Sequence, residues 1–301
     1  MESEIVPLLQ RQGPQTGAEV VEKTRMEVFA LWRWCRSSRE VFLTGAANRF
    51  LRLDRAVPGF ARLSPSIRRE FLTYTVIGLE SQRDAATRQA EALKASIREI
   101  SHAKQELARD AMQAVVAGLD DPAPVLEQVC FIIAGDITYE MAHTVPRPEK
   151  STGQMVRGSD LDIVVIADDS LPPNCLKALD RGIYKKKYFL LVHPDYREEV
   201  DYLVKTVSRV CEQLRFDTFE AMVACKILWE GRHLYGSVRV FEKVKRLVEE
   251  SRIAAKLAEL EQQAAANRTA AEARLLEPAT RISDSGALHL FYTREEGEEI
   301  Y

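Results

Sequence analysis

The sequence lacks the features that mark membrane, secreted and zinc-binding proteins. None of its apolar runs approaches the roughly 18 residues that a membrane-spanning helix needs, and its first residues lack the apolar core of a signal peptide. Its five cysteines are odd in number and show no CxxC spacing, which argues against a disulfide framework and against a zinc site. These absences predict a soluble, cytoplasmic protein with reduced thiols and no membrane partner.

The charge balance excludes a protein that binds polyanions over its whole surface. The 301 residues carry 42 Lys or Arg and 45 Asp or Glu, for a formal net charge of −3. Any contact with a nucleotide or a nucleic acid must therefore be local. The chain also lacks internal repeats, and its 46% hydrophobic content suffices for the core of one large domain or of two ordinary ones.

Composition and helical periodicity divide the chain into five regions. Ser64 is a suitable N-cap, and Pro65 a suitable first residue, for a helix that extends to about residue 118. A helix of this length is typical of a helical hairpin or of a coiled-coil partner, and it predicts packing or homo-oligomer formation. The predicted regions are a flexible arm at 1–17, an N-terminal helical region at 18–118, a core at 125–240, a C-terminal long helix at 241–277 and an acidic tail at 278–301.

A pair of aspartates directly precedes the most strand-like segment of the chain. Ile163–Ile166 is an unbroken β-branched run, which predicts a strand buried on both faces of a covered sheet. Asp160 and Asp162 lie two residues apart at its start, so they share one face with Cα atoms roughly 6.6 Å apart. Two carboxylates held this close repel each other unless a cation or a proton lies between them. The pair therefore predicts a site for a divalent cation.

Three segments of the chain, taken in order, carry a family resemblance. Phe131–Asp136 is an apolar run that ends in a glycine turn, Gly158–Ile163 holds the aspartate pair, and Glu199–Leu203 places a third aspartate on a later strand. This order of segments is similar to the pattern of the DNA polymerase beta-like nucleotidyltransferase superfamily. The resemblance covers about residues 128–240 and leaves the N-terminal helical region outside it.

The resemblance implies an α+β fold, in which a mixed-sheet nucleotidyltransferase core of the polymerase beta-like type carries long flanking helices. It also implies a two-metal enzyme, dependent on Mg²⁺ or Mn²⁺, that transfers an NMP from an NTP to an acceptor hydroxyl with release of pyrophosphate. The family uses proteins, RNA ends, nucleotides and small molecules as acceptors, and the sequence leaves the acceptor open. Such enzymes are frequent in bacterial defence and toxin–antitoxin settings.

The resemblance assigns catalytic and metal-binding roles to three aspartates, Asp160, Asp162 and Asp201. Asp217 is the alternative third carboxylate, although its flanks are less strand-like and its position suits a helix N-cap. Nucleotide binding is assigned to the glycine turn, to the residues before the aspartate pair and to a helix lysine. These nucleotide-binding residues are Gly135, Asp136, Gly158, Ser159 and Lys226.

Two departures from the family pattern keep a second interpretation open. Asp136 stands where the family has serine or glycine, and its carboxylate would repel a triphosphate unless it binds metal or turns away. In addition, 25 positions separate Gly135 from Asp160, more than in the smallest members. The alternative is a catalytically inactive nucleotidyltransferase-fold protein that acts as a nucleotide-binding or assembly module. The basic run Lys185–Lys187 is interpreted as a solvated surface patch.

Overall fold

Helices and mixed β-sheets build an α+β fold. The computed structural model describes residues 2–278, 280, 289–293 and 296. Its α-helices are α1 (Glu2–Gln12), α2 (Gly17–Thr24), α3 (Val28–Ser37), α4 (Ile67–Tyr74), α5 (Arg83–Ala117), α6 (Ala123–Gln128), α7 (Pro173–Val192), α8 (Val207–Gln213), α9 (Phe219–Glu230), α10 (Val238–Glu250) and α11 (Ile253–Leu276). Its strands are β1 (Gln15–Thr16), β2 (Val41–Gly45), β3 (Phe50–Leu53), β4 (Ala61–Ser64), β5 (Thr75–Leu79), β6 (Val129–Ile133), β7 (Pro146–Pro148), β8 (Met155–Arg157), β9 (Leu161–Ala167), β10 (Val200–Thr206) and β11 (Arg232–Gly236). Among the described residues, no helix is both long enough and apolar enough to span a membrane.

The chain forms two compact units. The first unit comprises Met1–Arg52, Ala61–Arg98 and Glu261–Tyr301, and the second, here called the core unit, comprises Leu53–Phe60 and Glu99–Leu260. The break predicted near residue 118 is present, because α5 ends at Ala117 and α6 begins at Ala123. The unit boundary nevertheless lies earlier, between Arg98 and Glu99. Helix α5 continues across this boundary because it contains no glycine or proline that would end it.

The first unit contains a sheet that helical periodicity does not predict. Its strand order is β1-β5-β2, with both pairings antiparallel. The β-branched run Thr75–Ile77 lies in β5 and interrupts the helix predicted to begin at Ser64. Helix α4 begins instead at Ile67, where the Ser66 hydroxyl accepts a hydrogen bond from the Arg69 N–H at 3.1 Å.

The arm predicted at residues 1–17 is largely helical. Helix α1 fully buries Ile5 and Leu9 in the apolar core of the first unit. With the nearly buried Leu8, these residues have the three- and four-residue spacing of an amphipathic helix. The prediction of a flexible arm is therefore wrong, because it relied on the polar composition of the segment and did not take account of this short apolar stripe.

The region 241–277 forms two helices rather than one long helix. Helix α10 ends at Glu250 and α11 begins at Ile253, and Arg252 between them adopts a left-handed φ of 53°. A residue in this conformation cannot continue a right-handed helix. The helical pattern of the sequence runs across Arg252 without a glycine or a proline, so it gives no signal of the break.

Most of the acidic tail predicted at 278–301 lies outside the described residues. Within the described part, Glu296 is buried in the first unit with only 1% of its surface exposed. Its carboxylate accepts a hydrogen bond from the Ser66 N–H at 3.4 Å and lies 3.4 Å from Arg69 Nε. Burial alone would raise the pKa of Glu296, but the attraction of Arg69 and Arg62 holds that pKa below its usual value. This glutamate therefore belongs to the interior of the first unit.

A mixed four-stranded sheet with the order β10-β9-β6-β11 organises the core unit. Strand β9 is parallel to β10, and β6 is antiparallel to both β9 and β11. The odd-numbered residues of β9, such as Ile163, pack with Met112 of α5 and Ile183 of α7. The opposite alternation places Asp160 and Asp162 together on the other face. The strands predicted at the aspartate pair and at the later segment are present as β9 and β10.

Replacing Glu296 with glutamine should destabilise the first unit, because the neutral amide removes the negative charge that faces the buried Arg69. We expect the free energy of unfolding near neutral pH to fall by roughly 3–5 kcal/mol. Since folding lowers the pKa of Glu296, its ionised form stabilises the protein above the unfolded pKa of about 4.3, and this contribution is lost as the pH falls through the folded pKa. The difference between the two proteins should therefore shrink in acid.

Urea denaturation of both proteins, near neutral pH and below about pH 4, measures this difference. Glu277→Gln is the matched control, because Glu277 is an exposed glutamate of the same region and should change stability by less than about 0.5 kcal/mol. An equal loss in both variants, or a difference that grows in acid, would contradict the role assigned to Glu296.

Candidate functional site

Two neighbouring parallel strands bring four carboxylates to one face of the core sheet. Asp162 is paired with Asp201 in the register of β9 and β10. One step earlier, the Leu161 N–H donates to the Glu199 carbonyl oxygen at 2.9 Å, so Asp160 and Glu199 precede the two strands at neighbouring positions. Because residues two apart on a strand point to the same face, all four side chains lie on one side of the sheet.

Three of these carboxylates are close enough to share one metal ion. Asp160, Glu199 and Asp201 each contribute one oxygen, and these oxygens lie within 4.8 Å of one another. The side chain of Asp201 is 57% exposed, whereas that of Glu199 is 11% exposed, so the group opens to solvent at Asp201. Carboxylate oxygens are ligands that Mg²⁺ and Mn²⁺ prefer, and the donor set therefore suits either ion.

Glu199 is the member of this group that the sequence analysis did not assign. Its spacing from Asp201 repeats the spacing of Asp160 from Asp162, and both pairs open a strand. The repeated spacing was therefore an available signal. Its meaning depends on the parallel register of β9 and β10, which brings the two pairs to the same level.

Asp162 lies on the expected face but outside the three-carboxylate group of the described residues. Its carboxylate packs against the Gly135 turn, where φ is +69° and a Cβ atom would overlap Asp162 Oδ2. The Asp162 carbonyl oxygen also accepts a hydrogen bond from the Ala134 N–H at 3.0 Å. The prediction that Asp160, Asp162 and Asp201 converge is thus corrected, because the glycine turn holds the Asp162 carboxylate and Glu199 completes the group.

The structure also decides between the two candidates for the third carboxylate. Asp201 lies with Asp160, as predicted first, while Asp217 lies exposed between α8 and α9 and is not part of the group. Thr218 caps α9, with its hydroxyl accepting a hydrogen bond from the Ala221 N–H at 3.1 Å. Asp217 is therefore a loop residue beside the cap.

Two cations that the sequence analysis did not place at the site neutralise these carboxylates. The guanidinium of Arg147, on β7, pairs with Asp160 and places Nη2 2.8 Å from a Glu199 oxygen, while its Nε donates to the Gly158 carbonyl oxygen at 3.0 Å. Lys187 Nζ, on α7, lies 3.3 Å from Asp201 Oδ1. At least one lysine of the predicted solvated patch thus belongs to the site.

A buried ion pair fixes the backbone around the carboxylates. Lys104 of α5 donates to the carbonyl oxygens of Arg157 and Ser159 at 2.7 and 2.9 Å, and it pairs with Glu198. Burial lowers the pKa of Lys104 and raises that of Glu198, despite their mutual attraction. Because Ser159 and Glu198 directly precede Asp160 and Glu199, this contact holds both strand entries in place.

The glycine turn expected to receive phosphate is surrounded by polar groups. The Gly135 N–H donates to Glu230 Oε1 at 3.4 Å, and Lys226 pairs with the same carboxylate. Glu230 also accepts a hydrogen bond from the Tyr139 hydroxyl. Lys226 therefore lies near the turn, as nucleotide binding requires, but its charge is balanced by Glu230, which the sequence analysis did not assign.

The remaining predicted nucleotide-binding residues brace two loops against each other. Ser159 donates its hydroxyl to Asp136 Oδ2 at 3.0 Å and accepts a hydrogen bond from the His143 N–H at 3.2 Å. Gly158 has a φ of +66°, and a Cβ atom there would overlap the His143 carbonyl oxygen. These contacts direct the Asp136 carboxylate towards Ser159. A carboxylate turned in this direction would repel a phosphate at the glycine turn less strongly.

Comparisons of this chain with protein-family models, with curated proteins and with solved structures found no match. The residues of the site are therefore the basis for a functional proposal. They comprise the three-carboxylate group, the Gly135 turn beside Asp162 and the cations that face them.

Replacing Arg147 with methionine should strengthen the binding of a divalent ion. The guanidinium lies against two of the three proposed ligands, so a second cation must overcome its repulsion. We expect the dissociation constant for Mn²⁺, measured by calorimetry, to fall roughly tenfold or more. Without metal, the variant should be less stable by about 1–3 kcal/mol, because Asp160 and Glu199 then lose a shared counter-charge.

Arg157→Met is the control for this experiment, since Arg157 is an exposed arginine on the paired strand β8. It should leave the Mn²⁺ dissociation constant within about twofold of the original value. Weaker Mn²⁺ binding in the Arg147 variant would show that Arg147 supports the ligands rather than competing with the ion.

Proposed function

We propose that the chain is a nucleotidyltransferase that moves an NMP from an NTP to an acceptor hydroxyl. The observation that carries this proposal is the group of Asp160, Glu199 and Asp201 at the start of two parallel strands. Carboxylates held together in this way, on an open face, suit a cation that binds phosphate oxygens. The Gly135 turn and Lys226 lie beside Asp162 and Glu230, and they supply groups that suit the phosphates.

The proposed metal ligands are Asp160, Glu199 and Asp201, with Asp162 as their neighbour on the same face. When bound, Mg²⁺ or Mn²⁺ would supply Lewis-acid polarisation of the phosphate oxygens. The three carboxylates would hold the cation, and Lys226, which pairs with Glu230, would attract the phosphate groups. Arg147 must move away from Asp160 or share its charge with the incoming substrate.

The proposed reaction is an in-line displacement at the α-phosphorus. The acceptor oxygen forms a bond to this phosphorus, the bond from the phosphorus to the oxygen bridging to the β-phosphate breaks, and pyrophosphate leaves. The proton of the acceptor hydroxyl passes to the carboxylate of Asp201, since this side chain is the most open to solvent of the three. Asp201 is thus the proposed base.

A nucleotide-binding or assembly module without catalysis is the second candidate. The contact that favours it is the carboxylate of Glu230, which accepts the Gly135 N–H and balances Lys226. Two groups that would otherwise be available to a phosphate then face a carboxylate, which repels it. In this case the site would bind nucleotide weakly and leave it unchanged.

Incubation of the purified chain with each α-labelled NTP and Mg²⁺ or Mn²⁺, alone and with cell lysate, tests the proposal. We expect release of pyrophosphate and a labelled product. Asp160→Asn and Asp201→Asn should each lower the rate roughly 100-fold or more, because they remove a ligand charge or the proposed base.

Asp217→Asn is the matched control, because Asp217 is an exposed aspartate outside the carboxylate group. Its rate should stay within about twofold of the original. Metal-dependent nucleotide binding without turnover would select the non-catalytic candidate. Absence of both turnover and metal-dependent nucleotide binding, measured by calorimetry, would exclude the transferase and the nucleotide-binding module and would leave the assembly module.

A further inference from the structure

One face of α7 exposes aromatic rings and cations in alternation. Tyr184 and Tyr188 are 66% and 59% exposed, which is unusual for side chains of this size. Arg181 and Lys185 are exposed on the same helix. Residues three or four apart are neighbours on a helix surface, so these four side chains form one continuous stripe. We call this stripe, Arg181, Tyr184, Lys185 and Tyr188, the aromatic–basic face.

Positive charge is concentrated on α7. The helix carries one acidic residue, Asp180, against five cations, Lys177, Arg181, Lys185, Lys186 and Lys187. Asp180 accepts a hydrogen bond from the Tyr202 hydroxyl at 3.0 Å, so it is directed towards β10. In a chain with a net charge of −3, this local excess of positive charge suits an anionic partner.

Lys187, which neighbours Tyr184 on α7, links the aromatic–basic face to the carboxylate site. Lys187 lies one helical turn beyond Tyr184, and its ammonium group is 3.3 Å from Asp201 Oδ1. Leu203, two residues beyond Asp201 on β10, is also exposed. A ligand bound to the aromatic–basic face would therefore pass beside Asp201, the most open of the three carboxylates.

We propose that the aromatic–basic face binds single-stranded nucleic acid and directs one of its hydroxyls to Asp201. Unpaired bases stack on exposed aromatic rings, and the cations between the rings match the phosphates. From Arg181 to Tyr188 the aromatic–basic face extends about 10 Å, which is enough for about three nucleotides at roughly 3.4 Å each. The acceptor role rests on the proposed transferase function, whereas the binding does not.

Two other polyanionic partners fit the face less well. A duplex keeps its bases stacked inside, so it would use the cations but not Tyr184 and Tyr188. An acidic protein segment would likewise pair with Arg181 and Lys185 and has no planar bases for the rings. The alternation of rings and cations therefore favours an unpaired strand.

Fluorescence anisotropy with labelled 15-nucleotide single strands, one of RNA and one of DNA, tests the binding of the full chain without metal or NTP. We expect the double variant Tyr184→Ala/Tyr188→Ala to weaken binding about tenfold or more. The matched double variant Tyr184→Phe/Tyr188→Phe keeps the rings and should stay within about twofold. A difference between the RNA and DNA arms identifies which sugar the face prefers.

A salt titration tests the part played by the cations. Each phosphate contact on a single strand contributes about 0.7 to the magnitude of the slope of log K against log salt. The double variant Arg181→Gln/Lys185→Gln removes two such contacts and should reduce that magnitude by about 1.4. The Tyr→Ala variant should leave that slope unchanged, because stacking releases no counterions.

Three results would overturn the proposal: equal binding by the Tyr→Ala variant, equal competition by a duplex of the same length, or equal displacement by poly-glutamate. Because binding is measured without metal and NTP, its outcome is separate from that of the transferase assay. Turnover without strand binding would reject this inference and retain the proposed function. Ring-dependent strand binding without turnover would retain the strand-binding surface. It would reject the proposed function and, with it, the acceptor role.

Discussion

Repulsion among the carboxylates at the start of β9 and β10 is the constraint that the rest of the core unit accommodates. The parallel register fixes these side chains on one face, so they cannot separate without breaking the hydrogen bonds of the sheet. Cations from three parts of the chain offset this repulsion. Arg147 and Lys187 contact the carboxylates directly, while Lys104 pairs with Glu198 and holds the backbone on either side.

Arg147 supplies the positive charge that faces two of these carboxylates. A divalent cation at the same place would have to displace the guanidinium or share the carboxylates with it. Asp201 differs from its partners because it is largely exposed and because its counter-charge is Lys187, an ammonium group on a flexible stem. The buried side of the group is thus rigid and the exposed side is accessible, which suits a site that receives an acceptor from solvent.

The sequence predicts elements well where burial and backbone preference agree. The β-branched run Ile163–Ile166 lies in β9, the apolar run near Phe131 in β6 and the segment with the third aspartate in β10, while the helical pattern before Gly118 became α5. Prediction failed where short signals competed with a longer pattern. Thr75–Ile77 pairs in a sheet although it follows a helical stretch, and Ile5 and Leu9 anchor a helix in a segment with polar composition. In both places a short local signal, a β-branched run or an apolar stripe, outweighed the composition of the surrounding segment.

At the candidate site, Asp160, Asp201, the strands that carry them and the glycine turn at Gly135 were predictable from the sequence. These features depend on residue type and on spacing along a single strand, which are local properties. The folded chain was needed to show that Glu199 joins the group, that Asp162 faces the glycine turn and that Arg147 and Lys187 supply counter-charge. Each of these depends on strand register or on the direction of a side chain from a separate element, and local sequence does not encode either one.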